Sequence, residues 1–199
     1  SSLEKIVKVV EPRPGEIMFG LNMIVNKGKT VFVGDTSVHE YPSSEQLAEI
    51  AISTARVVRL FGFDPKVAFV SHSTFGQPLT SRTKHIKNAV DILKGKNVDF
   101  KFDGDMQPDV ALNDQYKELY PFSEIVGNAN ILIMPGQHSA AISYKMMREL
   151  GGAKVIGPLL IGLGQPIEIA PLRSSTSDIL NLASVAAYSA GVISYNKKN

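Results

Sequence analysis

Cysteine is missing from all 199 residues, which excludes disulfides, thiolate metal sites and a cysteine nucleophile. Its absence fits a reducing, cytoplasmic setting. Long hydrophobic runs are missing too: no apolar stretch approaches membrane-spanning length and the start lacks a signal-peptide pattern, so no membrane partner is expected. Charge of one sign is scarce. The 21 basic and 19 acidic residues leave a net charge of +2, and no basic block interleaves with aromatics, which argues against nucleic acid as a partner. The four histidines (His39, His72, His85, His138) lie in separate segments without metal-ligand spacing, so surface or hydrogen-bonded roles are expected and no metal is assigned. No complete Rossmann or Walker glycine pattern occurs, and there is neither an internal repeat nor a low-complexity tract.

What is present is enough apolar material for one generous domain, or for one domain plus a fragment of another: 44% of residues are hydrophobic and 20% charged. The first residue is Ser1 rather than methionine, which leads us to expect a piece processed or excised from a longer protein. The chain is organised around 66–76. There an apolar run, Val67–Val70, passes into a loop dense in small hydroxyl residues that ends on Gly76. Such a run reads as a strand buried on both faces of a parallel sheet. The loop then lies at the carboxyl end of a strand, where open α/β sheets bind ligands. Ser71, Ser73 and Thr74 offer hydroxyls, and a helix starting near Thr80–Ser81 presents unpaired N–H groups to an anion. A polar turn that binds nothing is the alternative.

Before this stretch, residues 1–15 read as a polar N-terminal segment with a short strand at Ile6–Val10. Glu16–Val25 and Thr30–Val38 alternate around Asn26-Lys27-Gly28, a hairpin signal. Ser43-Ser44-Glu45-Gln46 forms a capping box for a helix running to about Phe61, with Leu47, Ile50, Ala51, Thr54 and Val58 on one face. After it, residues 81–94 form a second amphipathic helix, and Asp99–Phe102 a strand leading into an Asp103–Asp105 loop. A short helix follows over 107–113, then an apolar strand at Ala129–Met134, a helix over Ser139–Leu150 and a strand opening at Val155. Gly157–Gly164 reads as a glycine-rich loop, Ile167–Ala170 as a last strand and 177–194 as a final helix. The alternation predicts an α/β fold, three-layer α/β/α, with a mostly parallel sheet and the hairpin as an addition.

Four loops therefore follow strands, Ser71–Gly76, Asp103–Asp105, Pro135–Ser139 and Gly157–Gly164, and are expected to converge on a ligand crevice. Asp103, Asp105 and Asp109 could hold a cation; a solvated acidic loop with a helix cap is the commoner arrangement.

The blocks 71–76 (Ser-His-Ser-Thr-Phe-Gly), 103–107 (Asp-Gly-Asp-Met-Gln), 128–135, Gly157-Pro158-Leu159 and 177–181 resemble the phosphate acetyl/butyryl transferases in content, order and separation. Residues 136–140, 142–145 and 170–172 look most like the version fused behind bacterial NADP-dependent malic enzymes. The resemblance implies an isocitrate/isopropylmalate dehydrogenase-like fold, a homo-dimer or higher homo-oligomer, and a cleft for CoA and acetyl phosphate. It also implies a division into residues 16–170 as a second lobe and residues 171–199 as the closing helix of a first lobe whose remainder is absent.

By the same resemblance, Asp178 corresponds to the aspartate that takes the CoA thiol proton, a useful role because a free thiol is mostly protonated near neutral pH. Ser71, Ser73, Thr74, Arg173, Ser174, Ser175 and Asp178 are the residues expected to bind acyl-CoA or phosphate. Active enzymes carry a Ser-Arg pair shortly before the aspartate, whereas Pro171 and Leu172 stand at those positions here and Arg173 comes one place later. In extended chain a one-residue shift turns a side chain to the opposite face. Losing such an electrostatic clamp costs roughly a hundredfold in rate. Asp178 also fits a plain structural role in the first turn of a helix.

Three readings follow. The first is a non-catalytic, acetyl-CoA-binding regulatory domain of a malic enzyme, with NADP and a divalent metal belonging only to the malic enzyme part of the same parent chain. The second is a working phosphate acetyltransferase. The third is an oligomerisation module built on the apolar hairpin residues Met18, Phe19, Leu21 and Ile24.

Overall fold

The computed structural model describes residues 2–196. Seven strands form one sheet in the order β4-β3-β5-β2-β1-β6-β7. They are β1 (Phe19–Asn26), β2 (Lys29–Gly34), β3 (Lys66–Val70), β4 (Lys101–Met106), β5 (Ile131–Ile133), β6 (Lys154–Ile161) and β7 (Ile167–Glu168). The helices are α1 (Ser2–Val7), α2 (Ser44–Leu60), α3 (Ser81–Lys94), α4 (Pro108–Leu112), α5 (Gln137–Gly151) and α6 (Thr176–Asn196). Strands β4, β3, β5 and β2 pair in parallel, while β1 is antiparallel to both β2 and β6. Five strands thus run one way, and the mostly parallel α/β/α sheet with an added hairpin is what the sequence predicts. Among the described residues no helix is long and apolar enough to cross a membrane.

Period-two alternation sorts the core onto the two faces of this sheet. Val67 and Phe69 of β3, Ile131 and Ile133 of β5 and Phe32 of β2 pack on one side with Leu47, Ile50 and Val58 of α2 and Ile86, Val90 and Leu93 of α3. Ala68, Val70, Leu132 and Val33 face the other side, against Val110 of α4 and Ala140 of α5. Burying a side chain such as Phe69 completely stabilises the fold by about 2–3 kcal/mol. Local chemistry places the helix starts. Ser43 and Gln46 form a reciprocal capping box at α2, and Thr80 and Thr83 form one at α3. Between β1 and β2 both Lys27 and Gly28 have positive φ, +48° and +78°, the backbone of a two-residue hairpin turn.

Several boundaries differ from the sequence reading. The strand expected at Ile6–Val10 is instead α1 and a following turn, in which the N–H groups of Val9 and Val10 donate to the Ile6 carbonyl and so close local turns in place of a ladder. Asp103–Asp105 is not a loop but part of β4. The ladder pairs Phe69 with Gly104 and Val70 with Met106, so Asp105 is the extra residue of a bulge. Gly157–Gly164 is largely strand β6. Leu159 pairs with Leu21 and Ile156 with Met23, leaving Gly157 and Pro158 opposite Asn22 at a second irregularity, which is how a proline is tolerated inside a sheet. The hairpin residues Phe19, Leu21 and Ile24, offered as an oligomer surface, lie buried in the core of this chain and only Met18 stays half-buried.

Candidate ligand site

The loop after β3 is held from below by the β4 bulge. Asp105 is buried; its Oδ2 accepts a very short hydrogen bond from Ser73 Oγ and its Oδ1 accepts from the Gly76 N–H at 3.0 Å. The Phe75 N–H donates to the Asp105 carbonyl at 2.6 Å, and the Ser71 N–H donates to the Met106 carbonyl at 2.9 Å. Thr74 Oγ1 accepts from the Gln107 N–H at 3.2 Å. Ser71, Ser73 and Thr74 are therefore brought together, but all three are buried and their hydroxyls serve the loop's own bonds. The acidic residues suggested for a cation also have protein partners. Asp103 accepts from the Gly104 N–H and Asp109 from the Tyr116 hydroxyl.

Two cavities flank the sheet. The first, of about 470 Å3, opens at the carboxyl ends of β2 and β5 and is lined by Tyr41, Pro42, Arg82, Pro135, His138 and Ile142, among others. One wall is the segment after β2, latched by the buried Asp35. Its Oδ1 accepts from the N–H groups of Gly20 (2.8 Å), Ser37 (2.8 Å) and Val38 (3.1 Å). Asp35 Oδ2 accepts from the His39 N–H and lies 2.7 Å from His39 Nδ1. His85 braces the same wall, with Nε2 2.8 Å from the Pro42 carbonyl and Nδ1 3.0 Å from Ser44 Oγ. The expected convergence of strand-end loops is met here by Pro135–Ser139 but not by the β3 loop.

The second cavity, of about 650 Å3, lies between α5, β6 and the start of α6 and gathers the other expected residues. Arg173, Ser174 and Asp178 line it together with Pro171 and Leu172, and α5 contributes Tyr144 and Arg148. Asp178 Oδ2 accepts from the Ser175 hydroxyl at 2.7 Å and the Ser175 N–H at 2.9 Å, and Ser175 Oγ accepts in turn from the Asp178 N–H at 3.2 Å. These bonds, the hydroxyl's first and the backbone's second, hold the Asp178 carboxyl below the usual carboxylate range, with Lys154 and Arg148 adding smaller pulls in the same direction. Ser174 Oγ and Asn181 Nδ2 are buried in this wall without a partner. Both groups can donate, and the protein itself leaves them unsatisfied. None of the β3-loop hydroxyls lines this cavity, so the expected site residues fall into two sets.

Asn181, Arg148 and Tyr144 were missed in the sequence. Asn181 had a signal, since it stands three residues after Asp178 on the same helical face. Arg148 and Tyr144 had none, because only tertiary packing carries α5 to the cavity.

The mostly parallel, helix-covered sheet makes this an α/β domain, and solved phosphotransacetylases share its fold. A phosphotransacetylase from Streptococcus pyogenes superposes with a TM-score of 0.88 at 30% identity, covering 95% of this chain and 59% of that one. The chain belongs to the phosphate acetyl/butaryl transferase family, whose family model matches residues 1–187. It is 46% identical over 191 residues to an NADP-dependent malic enzyme of Rhizobium meliloti, covering 96% of this chain and 25% of that protein. It is also 33% identical to a phosphate acetyltransferase of Clostridium acetobutylicum over 92% of this chain and 58% of that enzyme. The chain thus spans about a quarter of the malic enzyme's length and somewhat over half of the acetyltransferase's.

Proposed function

We propose that this is an acyl-CoA-binding regulatory domain of an NADP-dependent malic enzyme that no longer transfers acyl groups, its ligand held in the α5–β6–α6 cavity. The observation that carries the reading is the donor set of that cavity. Arg173, Ser174 and Asn181 line it, and Ser174 Oγ and Asn181 Nδ2 are buried beneath its surface without partners. Acceptor-rich groups, phosphate oxygens and a thioester carbonyl, complete such a wall. The β3 loop, with its hydroxyls already engaged, serves as scaffold rather than as ligand contact.

Loss of transfer is supported by two features. On the family resemblance, Pro171 and Leu172 stand where active enzymes carry a Ser-Arg pair, which leaves an exposed leucine in place of a guanidinium. Asp178, held low by Ser175, is a weaker base toward a thiol than a free carboxylate. NADP and a divalent metal belong, on this reading, to the malic enzyme part of the parent chain. Regulation then requires that acetyl-CoA bind two states of the whole enzyme unequally.

One observation favours an active phosphate acetyltransferase instead: Arg173 and Asp178 line the same cavity. Calorimetric titration of acetyl-CoA into the full-length protein, run beside an assay for acetyl-CoA formation from acetyl phosphate and CoA, separates the two. Binding without turnover is expected. Turnover would establish the transferase, and absence of binding would end both readings.

A further inference from the structure

His85 of α3 holds one end of the first cavity's wall through contacts that a single charge state of its ring makes together. Nε2 lies 2.8 Å from the Pro42 carbonyl, an oxygen that can only accept, so this nitrogen carries a proton. Nδ1 lies 3.0 Å from Ser44 Oγ, and the same hydroxyl donates to the His85 carbonyl at 2.9 Å. A hydroxyl has one proton to give. When that proton points at the carbonyl, Nδ1 must carry a proton of its own, and the ring is an imidazolium with every contact made. When the ring is neutral with its proton on Nε2, Nδ1 takes the hydroxyl proton and the carbonyl contact is lost. When it is neutral with its proton on Nδ1, Nε2 turns a lone pair toward the Pro42 oxygen. Pro42 and Ser44 are both buried, which leaves little water to replace a lost contact.

We propose that His85 is a proton-operated catch on this wall: the imidazolium ties α3 both to Pro42 and to the start of α2, and loss of its proton frees the Pro42 end. Imidazole side chains change charge between about pH 5 and 8, so the wall is tight at the acid end and loosens as pH rises. The charged and titratable residues around the ring come from each element packed there. Glu40 and Tyr41 of the wall, Arg82 of α3 and His138 of α5 line the same cavity. Glu45 of α2 stands close enough to feel the ring: its carboxyl is held low by its own backbone N–H first, by Ser43 next, and by a smaller pull from the His85 charge. The opposite end of the wall is fixed separately, by the Asp35 bonds to the N–H groups of Ser37, Val38 and His39 and by the Gln137 N–H, which donates to the His39 carbonyl at 2.9 Å. Movement released at Pro42 is therefore confined between His39 and the capped start of α2, where the Ser43 N–H donates to Gln46 Oε1 at 2.8 Å.

Nuclear magnetic resonance of the chain at about pH 5.5 and about pH 8 tests this, spanning the imidazole range. Long-range proton–nitrogen spectra of the histidine rings report the charge state of His85, and amide hydrogen exchange reports the wall. The ring is expected to carry protons on both nitrogens at the lower pH and on Nε2 alone at the higher. Over the same interval Ser43 N–H protection, corrected for the intrinsic pH dependence of exchange, should fall about three- to tenfold, the weight of one hydrogen bond. The His39 N–H, held by Asp35, should not follow it. His85→Gln, which cannot ionise, should make Ser43 protection equal at the two pH values. Ser44→Ala, which removes the hydroxyl that calls for the second ring proton, should do the same while keeping the bond to Pro42. A singly protonated His85 ring at the lower pH, or Ser43 protection in the parent chain equal at the two, would overturn the proposal. So would a pH dependence that persists in either variant, which would move the effect to the His39–Asp35 pair.

Discussion

Replacing Asp35 by asparagine probes how the wall of the first cavity is held. The carboxylate is buried and collects four backbone N–H groups, from Gly20, Ser37, Val38 and His39, besides the His39 ring. In Asp35→Asn the amide oxygen takes the place of one carboxylate oxygen and an NH2 group the place of the other. With that oxygen kept toward Gly20, Ser37 and Val38, the new N–H atoms face the His39 N–H. The imidazole can change tautomer and accept one of them, but the His39 N–H is left opposed to another donor. An unsatisfied buried donor costs about 1–3 kcal/mol, and the three remaining bonds lose their charge assistance. The sum is about 3–4 kcal/mol, a large share of the roughly 5–15 kcal/mol that holds a domain together. Urea unfolding followed by far-ultraviolet circular dichroism reads this directly. With a slope of about 2 kcal/mol per molar, the midpoint falls by roughly 1.5–2 M. A midpoint within about 0.3 M of the parent's at unchanged slope would refute the view of Asp35 as the latch.

Three further outcomes are expected. Glu168 has an ordinary value of 4.5 raised to about 8 by burial, so between those values the folded chain keeps a proton that the unfolded chain has lost. Stability therefore falls as pH rises from about 4.5 to 8 and is level beyond, by about 2–3 kcal/mol after allowance for remaining solvent contact; Glu168→Gln should flatten this slope in unfolding curves collected across that range. Gly136→Ala would place a Cβ 2.3 Å from the Glu40 carbonyl oxygen, so backbone must move at the first cavity's rim, and a loss of about 1–3 kcal/mol in thermal unfolding is expected. Ser175→Ala removes the largest influence holding the Asp178 carboxyl low, and a carbon-13 titration should find it moved up toward the ordinary carboxylate value, with an unmoved carboxyl counting against the cap geometry.

Where local chemistry decides structure, the sequence was legible. The helix expected over 81–94 is α3 to the residue, because Thr80 and Thr83 cap its start and Gly95 follows its end. The hairpin and the two-faced strand β3 were equally readable, since a turn with two positive-φ residues and a short apolar run each carry their own signal. Asp103-Gly104-Asp105 and Gly157-Pro158 misled for one shared reason. Turn-forming residues suggest a loop, whereas pairing with a neighbouring strand absorbs them as bulges. The site was half legible. Arg173, Ser174 and Asp178 do share a cavity, but the separation of the β3 loop from it, the inward turn of Ser73 and the arrival of Arg148 from α5 are products of tertiary packing that no local pattern encodes.

The two outermost strands bear on how this chain behaves in a crowd. At one margin β4 carries Lys101, Asp103 and an irregular step at Asp105; at the other, β7 extends for only two residues. A foreign strand seeking to extend the sheet would find charge and broken spacing on one flank and almost no template on the other. The sheet is thereby discouraged from growing into fibrils through its rims.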